Sequence, residues 1–141
     1  MQTNKGYQLP DKILNELGSF ESIITRYYPG ITFTGRALAH CLTKVDEPII
    51  EMFKEHQSGL LVVNTRVETI QFQNLLESAH SVLFLKGRVR FRDMKYNAII
   101  QSNAPFGTAL FSFSEEDTNI LEEANLIGKV LKLNARIPEF A

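Results

Sequence analysis

The chain has 141 residues, 44% of them apolar and 22% charged, with a formal net charge of −1. A chain of this length buries about two thirds of the surface it exposes when unfolded, so the composition describes one folded domain and excludes a disordered, collagen-like or disulfide-stapled chain. A single cysteine, Cys41, leaves no internal disulfide, and no apolar run approaches the ~18 residues of a membrane span or the start of a secreted chain, which points to a reducing cytoplasm.

Residues 1–8 are polar and read as a loose start. Pro10 suits a first helical turn, and Ile13, Leu14, Leu17, Phe20, Ile23, Ile24 and Tyr27 follow at helical spacing. Gly18-Ser19 divides this run into two short helices, with Ser19 as the second cap, and Pro29-Gly30 closes it as a turn. Residues 31–36 alternate with loop chemistry and lead into residues 37–42, which read as a further helix. Residues 1–45 are thus expected to form a helical N-terminal part. Thr34-Gly35-Arg36 opening a helix would offer backbone donors to an anion; the simpler expectation is a Thr cap beside a surface Arg.

Asp46 caps and Pro48 opens an amphipathic helix over residues 47–56, with Ile49, Ile50, Met52 and Phe53 as its apolar positions. The aliphatic run Leu60-Leu61-Val62-Val63 is too short for a helix and suits a central strand covered on both faces. Thr65-Arg66 lies at its carboxyl end, the edge where open α/β sheets take ligands. A helix within residues 68–78 and a strand from Val82 to Leu85 complete a parallel crossover unit. Gly87 permits a bend before residues 88–92 continue extended, and residues 93–103 form a connection. Residues 107–113 are expected to pair antiparallel with the ribbon at residues 82–91. Ser114 followed by Glu115, Glu116 and Asp117 starts a helix to Ala124, and a last edge strand is expected near residues 129–133, ahead of a tail around Pro138. The fold class is α/β: a small Rossmann-like sheet over residues 46–134, mostly parallel with an antiparallel strand or hairpin, flanked by helices. Exposed sheet edges make a homo-oligomer a reasonable expectation.

Residues 86–95 hold five of the 15 cations, while residues 115–123 hold five of the 16 acids, so the net charge is a poor guide to partners. Lys86, Arg88, Arg90 and Arg92 recur at every second residue and project to one face of an extended chain, with Lys95 nearby. Such a face can neutralise nucleic-acid phosphates or meet an acidic partner. The alternatives are an ordinary solvated strand face, or internal pairing with the acidic helix. Tyr96, Ile99, Ile100 and Phe106 offer a contact patch for a base or a protein, although such residues more commonly fold back on the core. His40-Cys41 on a helix would point about 100° apart, which suggests a core cysteine beside a surface histidine rather than a nucleophile and its base. His40, Cys41, His56 and His80 lack the paired spacing of a zinc site, so no metal is expected.

Across residues 60–113 the order of features resembles the C-terminal half of the phage-type DNA N6-adenine methyltransferases. The pieces that carry the resemblance are Val63-Asn64-Thr65-Arg66 ending an aliphatic strand, a helix with an aromatic at Phe72, the segment from Phe84 to Phe91, and Ala104-Pro105-Phe106-Gly107-Thr108-Ala109-Leu110. The resemblance implies a methyltransferase-like fold. It also implies that catalysis would need an Asn/Asp-Pro-Pro-Tyr/Trp turn and an S-adenosylmethionine site. No Pro-Pro pair occurs in this chain, the segment upstream of the matching helix reads Leu42-Thr43-Lys44-Val45-Asp46, and no Gly-rich cofactor turn follows a strand in the first 45 residues. No catalytic residue carries over.

The leading expectation is therefore a catalytically inactive, methyltransferase-like phage protein without a cofactor, binding nucleic acid or an acidic partner through Lys86, Arg88, Arg90, Arg92 and Lys95, with Thr65 and Arg66 as a possible ligand edge. One alternative is a protein-binding inhibitor of host restriction or CRISPR defence. Another is a partial methyltransferase subunit, which would take S-adenosylmethionine once completed by a second chain.

Overall fold

The structure, a computed structural model, describes residues 6–25, 30–42, 47–96, 98–99, 106–124 and 127–133. Its centre is a six-stranded mixed sheet built from β2 (Ser22–Ile24), β3 (Ala37–Cys41), β4 (Gly59–Asn64), β8 (Thr108–Ser112), β5 (Ser81–Leu85) and β9 (Gly128–Lys132), in that spatial order. β2, β3 and β4 pair in parallel. β8 is antiparallel to both β4 and β5, so those two share a direction with β8 inserted between them, and β9 lies antiparallel on the far side of β5. A second, three-stranded sheet joins β1 (Tyr7–Gln8), β6 (Arg92–Asp93) and β7 (Ala98–Ile99).

The sheet is a middle layer, as its sequence demands. β3, β8 and most of β4 are buried at every position, so they cannot show the one-sided alternation of a half-exposed sheet. On one face, α2 (Glu47–His56) and α3 (Ile70–Ser78) pack Ile49, Ile50, Phe53, Phe72 and Leu75 against Leu61, Val63, Val82 and Phe111. On the other, Leu121 of α4 (Glu115–Glu123) joins Leu9 and Leu17, which flank the one-turn helix α1 (Asp11–Leu14), over Leu38, Leu60, Val62, Leu83 and Leu110. Thr69 caps α3 by accepting the Phe72 N–H at 3.2 Å, and Ser114 caps α4 by accepting the Asp117 N–H at 3.1 Å. The proposed Asp46 cap lies outside the described residues.

The N-terminal part departs from its expected helices. Residues 37–41 form the buried strand β3 between β2 and β4, not a helix. A short, mostly apolar segment fits either form by pattern alone, and here two parallel neighbours complete its backbone hydrogen bonds. The expected helical run from Ile13 to Tyr27 reduces to α1, and Ser22–Ile24 is strand β2; residues 26–29 lie outside the described residues. Ser19 caps no helix, and its carbonyl instead accepts from Arg36 at 3.0 Å. The sheet therefore runs across the boundary expected near residue 45.

The amino ends of β3 and β4 are joined by a buried polar anchor. Arg36 donates from Nε to Asp117 Oδ1 at 2.6 Å and from Nη1 to the Leu17 carbonyl at 2.6 Å, with its guanidinium 4.2 Å above the Phe20 ring centroid. The other Asp117 oxygen accepts the Gly59 N–H and the Ser114 hydroxyl, each at 2.8 Å. Arg36 thus precedes a strand and is consumed by structure, which overturns the helix-opening anion site. At the same end, Thr118 Oγ1 lies 2.6 Å from Ser81 Oγ, 2.8 Å from Ser112 Oγ and 2.8 Å from His80 Nδ1, fastening α4 to β5 and β8.

Candidate nucleic-acid interface

The opposite end of the sheet gathers the carboxyl ends of β3, β4 and β5 with the amino ends of β8 and β9, as the registers Cys41↔Val63, Asn64↔Thr108 and Leu85↔Gly128 require. Thr65 continues the β4–β8 ladder by one residue, donating its N–H to the Gly107 carbonyl at 2.9 Å. A Cβ at Gly107 would stand 2.8 Å from Thr65 Oγ1, so a larger residue there would force the Thr65 side chain to move. Phe106 and Arg66 consequently meet, although 40 positions separate them in the sequence: the Arg66 guanidinium lies 5.3 Å from the Phe106 ring centroid. Arg66 also reaches Glu68 Oε2 at 3.3 Å, an exposed pair of little energetic weight. The Thr108 hydroxyl just behind is buried without a hydrogen-bond partner.

Beyond Leu85 the chain leaves the central sheet. Gly87 takes φ +75, a left-handed conformation that glycine adopts without strain, and it turns the chain out of β5. The bend allowed at Gly87 is present, and the antiparallel pairing with β8, expected along residues 82–91, is limited to Ser81–Phe84. The alternation nevertheless survives the break. Val89 and Phe91 are buried in the α1/α4 side of the core, while Lys86, Arg88 and Arg90 are exposed. Two apolar side chains thus fix the ribbon and turn its cations outward.

The ribbon is fastened again at Arg92-Asp93, where β6 pairs with Gln8 and Tyr7 of β1. Arg92 is half-buried and reaches Asp11 Oδ2 at 3.3 Å. Lys95 and Tyr96 are both exposed, and the Lys95 ammonium lies 5.3 Å from the Tyr96 ring centroid. The acidic helix α4 spends Asp117 on Arg36 and Glu122 on Lys132, which lie outside the ribbon.

The expectation that the aromatic residues fold back on the core is corrected for Tyr96, which is 69% exposed, and for Phe106, at 38%. The Ile99 side chain, Ile100, Ala104 and Pro105 lie outside the described residues. Val67, in the turn after Arg66, and Ile70, an apolar helix position that opens α3, add exposed apolar surface. Their signal was local: an apolar residue beside a helix cap is an economical core position, and only the fold shows that α3 turns this one outward.

His40 is not a surface residue. On a strand, adjacent side chains point to opposite faces, so Cys41 enters the α2/α3 core and His40 enters the other side at 3% exposure. Its Nε2 accepts the Leu9 N–H at 3.1 Å, which leaves Nδ1 protonated and donating to the Ile24 carbonyl at 3.0 Å. Burial lowers its pKa to about 4, outweighing the upward pull of that carbonyl bond. His40 is a neutral structural pin with both nitrogens engaged. Among the described residues no group of three or more His, Cys, Asp or Glu is placed to hold a metal ion, and no helix is long and apolar enough to cross a membrane. Comparison of the chain with family models, with curated proteins and with solved structures returned no match.

Proposed function

We propose that this chain is a non-catalytic, methyltransferase-like protein of the phage type that binds nucleic acid through the ribbon at residues 86–95. The carrying observation is the division of that ribbon: Val89 and Phe91 are buried, while Lys86, Arg88, Arg90 and Lys95 are exposed. A row of cations held by buried neighbours can follow a phosphate backbone without ordering a flexible tail, which lowers the entropic cost of binding. The α/β sheet supports the methyltransferase-like part of the reading only in outline: β2, β3, β4 and β5 share one direction, and β8 and β9 oppose it.

S-adenosylmethionine chemistry does not fit the residues present. Methyl transfer to an amine needs paired acceptors that orient its lone pair, and the chain has no Pro-Pro turn to supply them. His40, the polar side chain near the carboxyl end of β3, is buried with both nitrogens occupied. Binding by occupancy is the function these side chains support.

The test is the double variant Arg88→Glu/Arg90→Glu. It is expected to abolish retention of a labelled oligonucleotide in a gel-shift assay, with the unfolding free energy changed by less than about 1 kcal/mol because both side chains are exposed. Undiminished binding by a folded variant would refute the proposal and favour a protein partner, which co-purification from a bacterial lysate would reveal.

A further inference from the structure

We infer that the Arg66–Phe106 pair is a stacking subsite for an unpaired nucleobase, so that the ligand of this interface is single-stranded nucleic acid. The inference rests on the nucleic-acid function proposed above.

The Arg66 side chain is 52% exposed and Phe106 is 38% exposed, so the cation–aromatic pair lies at the surface and not in the core. Val67 in the next turn, at 49%, and Ile70 at the start of α3, at 73%, are also exposed apolar residues. In a duplex the faces of the bases are covered by their neighbours, and only an unstacked base can use such a platform. The backbone order places the platform beside the cations. Thr65 bonds Gly107, and Lys86 follows β5 on the other side of β8. At the usual strand spacing of about 5 Å, the start of the ribbon therefore lies roughly 10 Å across the sheet end from Thr65. A second cation–aromatic pair, Lys95 and Tyr96, stands at the ribbon's far end. Aromatic platforms bracketing a run of phosphate-reading cations match the chemistry of a single strand, whose bases and phosphates are both accessible. A duplex would use the cations and leave both rings idle.

The experiment compares a fluorescein-labelled oligo(dT) of about twenty nucleotides with a blunt duplex of equal length by anisotropy at several salt concentrations. The unaltered protein is expected to prefer the single strand. Phe106→Leu keeps an apolar side chain and removes the ring, and it is expected to weaken single-strand binding about tenfold, the size of one lost base stack. Its salt dependence stays unchanged, because no phosphate contact is lost. A second readout uses the unaltered protein: an oligonucleotide carrying 2-aminopurine is expected to change its fluorescence as the analogue leaves its neighbours and stacks on the ring. Single-strand binding undiminished in Phe106→Leu, equal affinity for duplex and single strand, or unchanged 2-aminopurine emission on binding would each overturn the subsite alone. Absence of binding to either nucleic acid at low salt would overturn the proposed function with it.

Discussion

Acidification gives a quantitative handle on the pin that holds the N-terminal segment. His40 has its pKa lowered from 6.5 to about 4 by burial, and it is neutral when it accepts the Leu9 N–H. Below pH 6.5 the unfolded chain takes up a proton that the folded chain refuses until about pH 4, so stability present at neutral pH is lost as the pH falls through this window. At 1.36 kcal/mol per pKa unit, the loss from this residue is about 2 kcal/mol at pH 5 and about 3 kcal/mol at pH 4. His40→Leu removes the titration but orphans the Leu9 N–H, at a cost of about 1–3 kcal/mol at neutral pH. Urea denaturation of both proteins at pH 7.5 and pH 5 isolates the effect, because every other titrating group is common to them. The unaltered protein is expected to lose about 2 kcal/mol more than the variant on acidification. Equal losses would show that His40 is not the neutral, buried acceptor described above. Leu9 directly follows β1, the strand that pairs with Arg92-Asp93, so the same variant also slackens one attachment of the ribbon.

Asp117→Ala removes the shared partner of Arg36, Gly59 and Ser114 and leaves a largely buried guanidinium unpaired, an expected loss of about 3–5 kcal/mol readable as a lowered denaturant midpoint. Thr118→Val keeps the shape of the side chain but strips Ser81, Ser112 and His80 of their common hydroxyl, for an expected loss of about 1–3 kcal/mol in the same assay. Neither residue lies at the interface end of the sheet, so folded samples of both variants are expected to bind oligonucleotide as the unaltered protein does.

The chain from residue 46 onward was largely legible because its pattern and its punctuation agree. Pro48, Ser114 and the aliphatic run at residues 60–63 each fix an element type locally, and α2, α4 and β4 follow. Residues 1–45 were not legible for the converse reason. Ala37 to Cys41 has no periodicity that separates a strand from a helix, and its strand identity comes from Gly59 and its neighbours in β4, supplied some twenty residues later. His40 reads as polar and therefore exposed, yet it is buried because Leu9 and Ile24 arrive from distant segments to satisfy both nitrogens. Arg36 reads as a surface cation until Asp117, 81 positions on, reaches it. The cationic alternation of residues 86–92 was visible from spacing alone. The contact between Arg66 and Phe106 was not, since only the β4–β8 ladder brings them together.

The outward cations of the ribbon are expected to bind phosphates. The most direct measurement is the affinity of the unaltered protein for labelled single-stranded DNA as a function of salt concentration. Engagement of the exposed Lys86, Arg88, Arg90 and Lys95 predicts a plot of log affinity against log salt with a slope of about −3, at roughly 0.7 per phosphate contact on a single strand. A slope near zero, or no binding even at low salt, would contradict the account and leave the ribbon facing a protein partner.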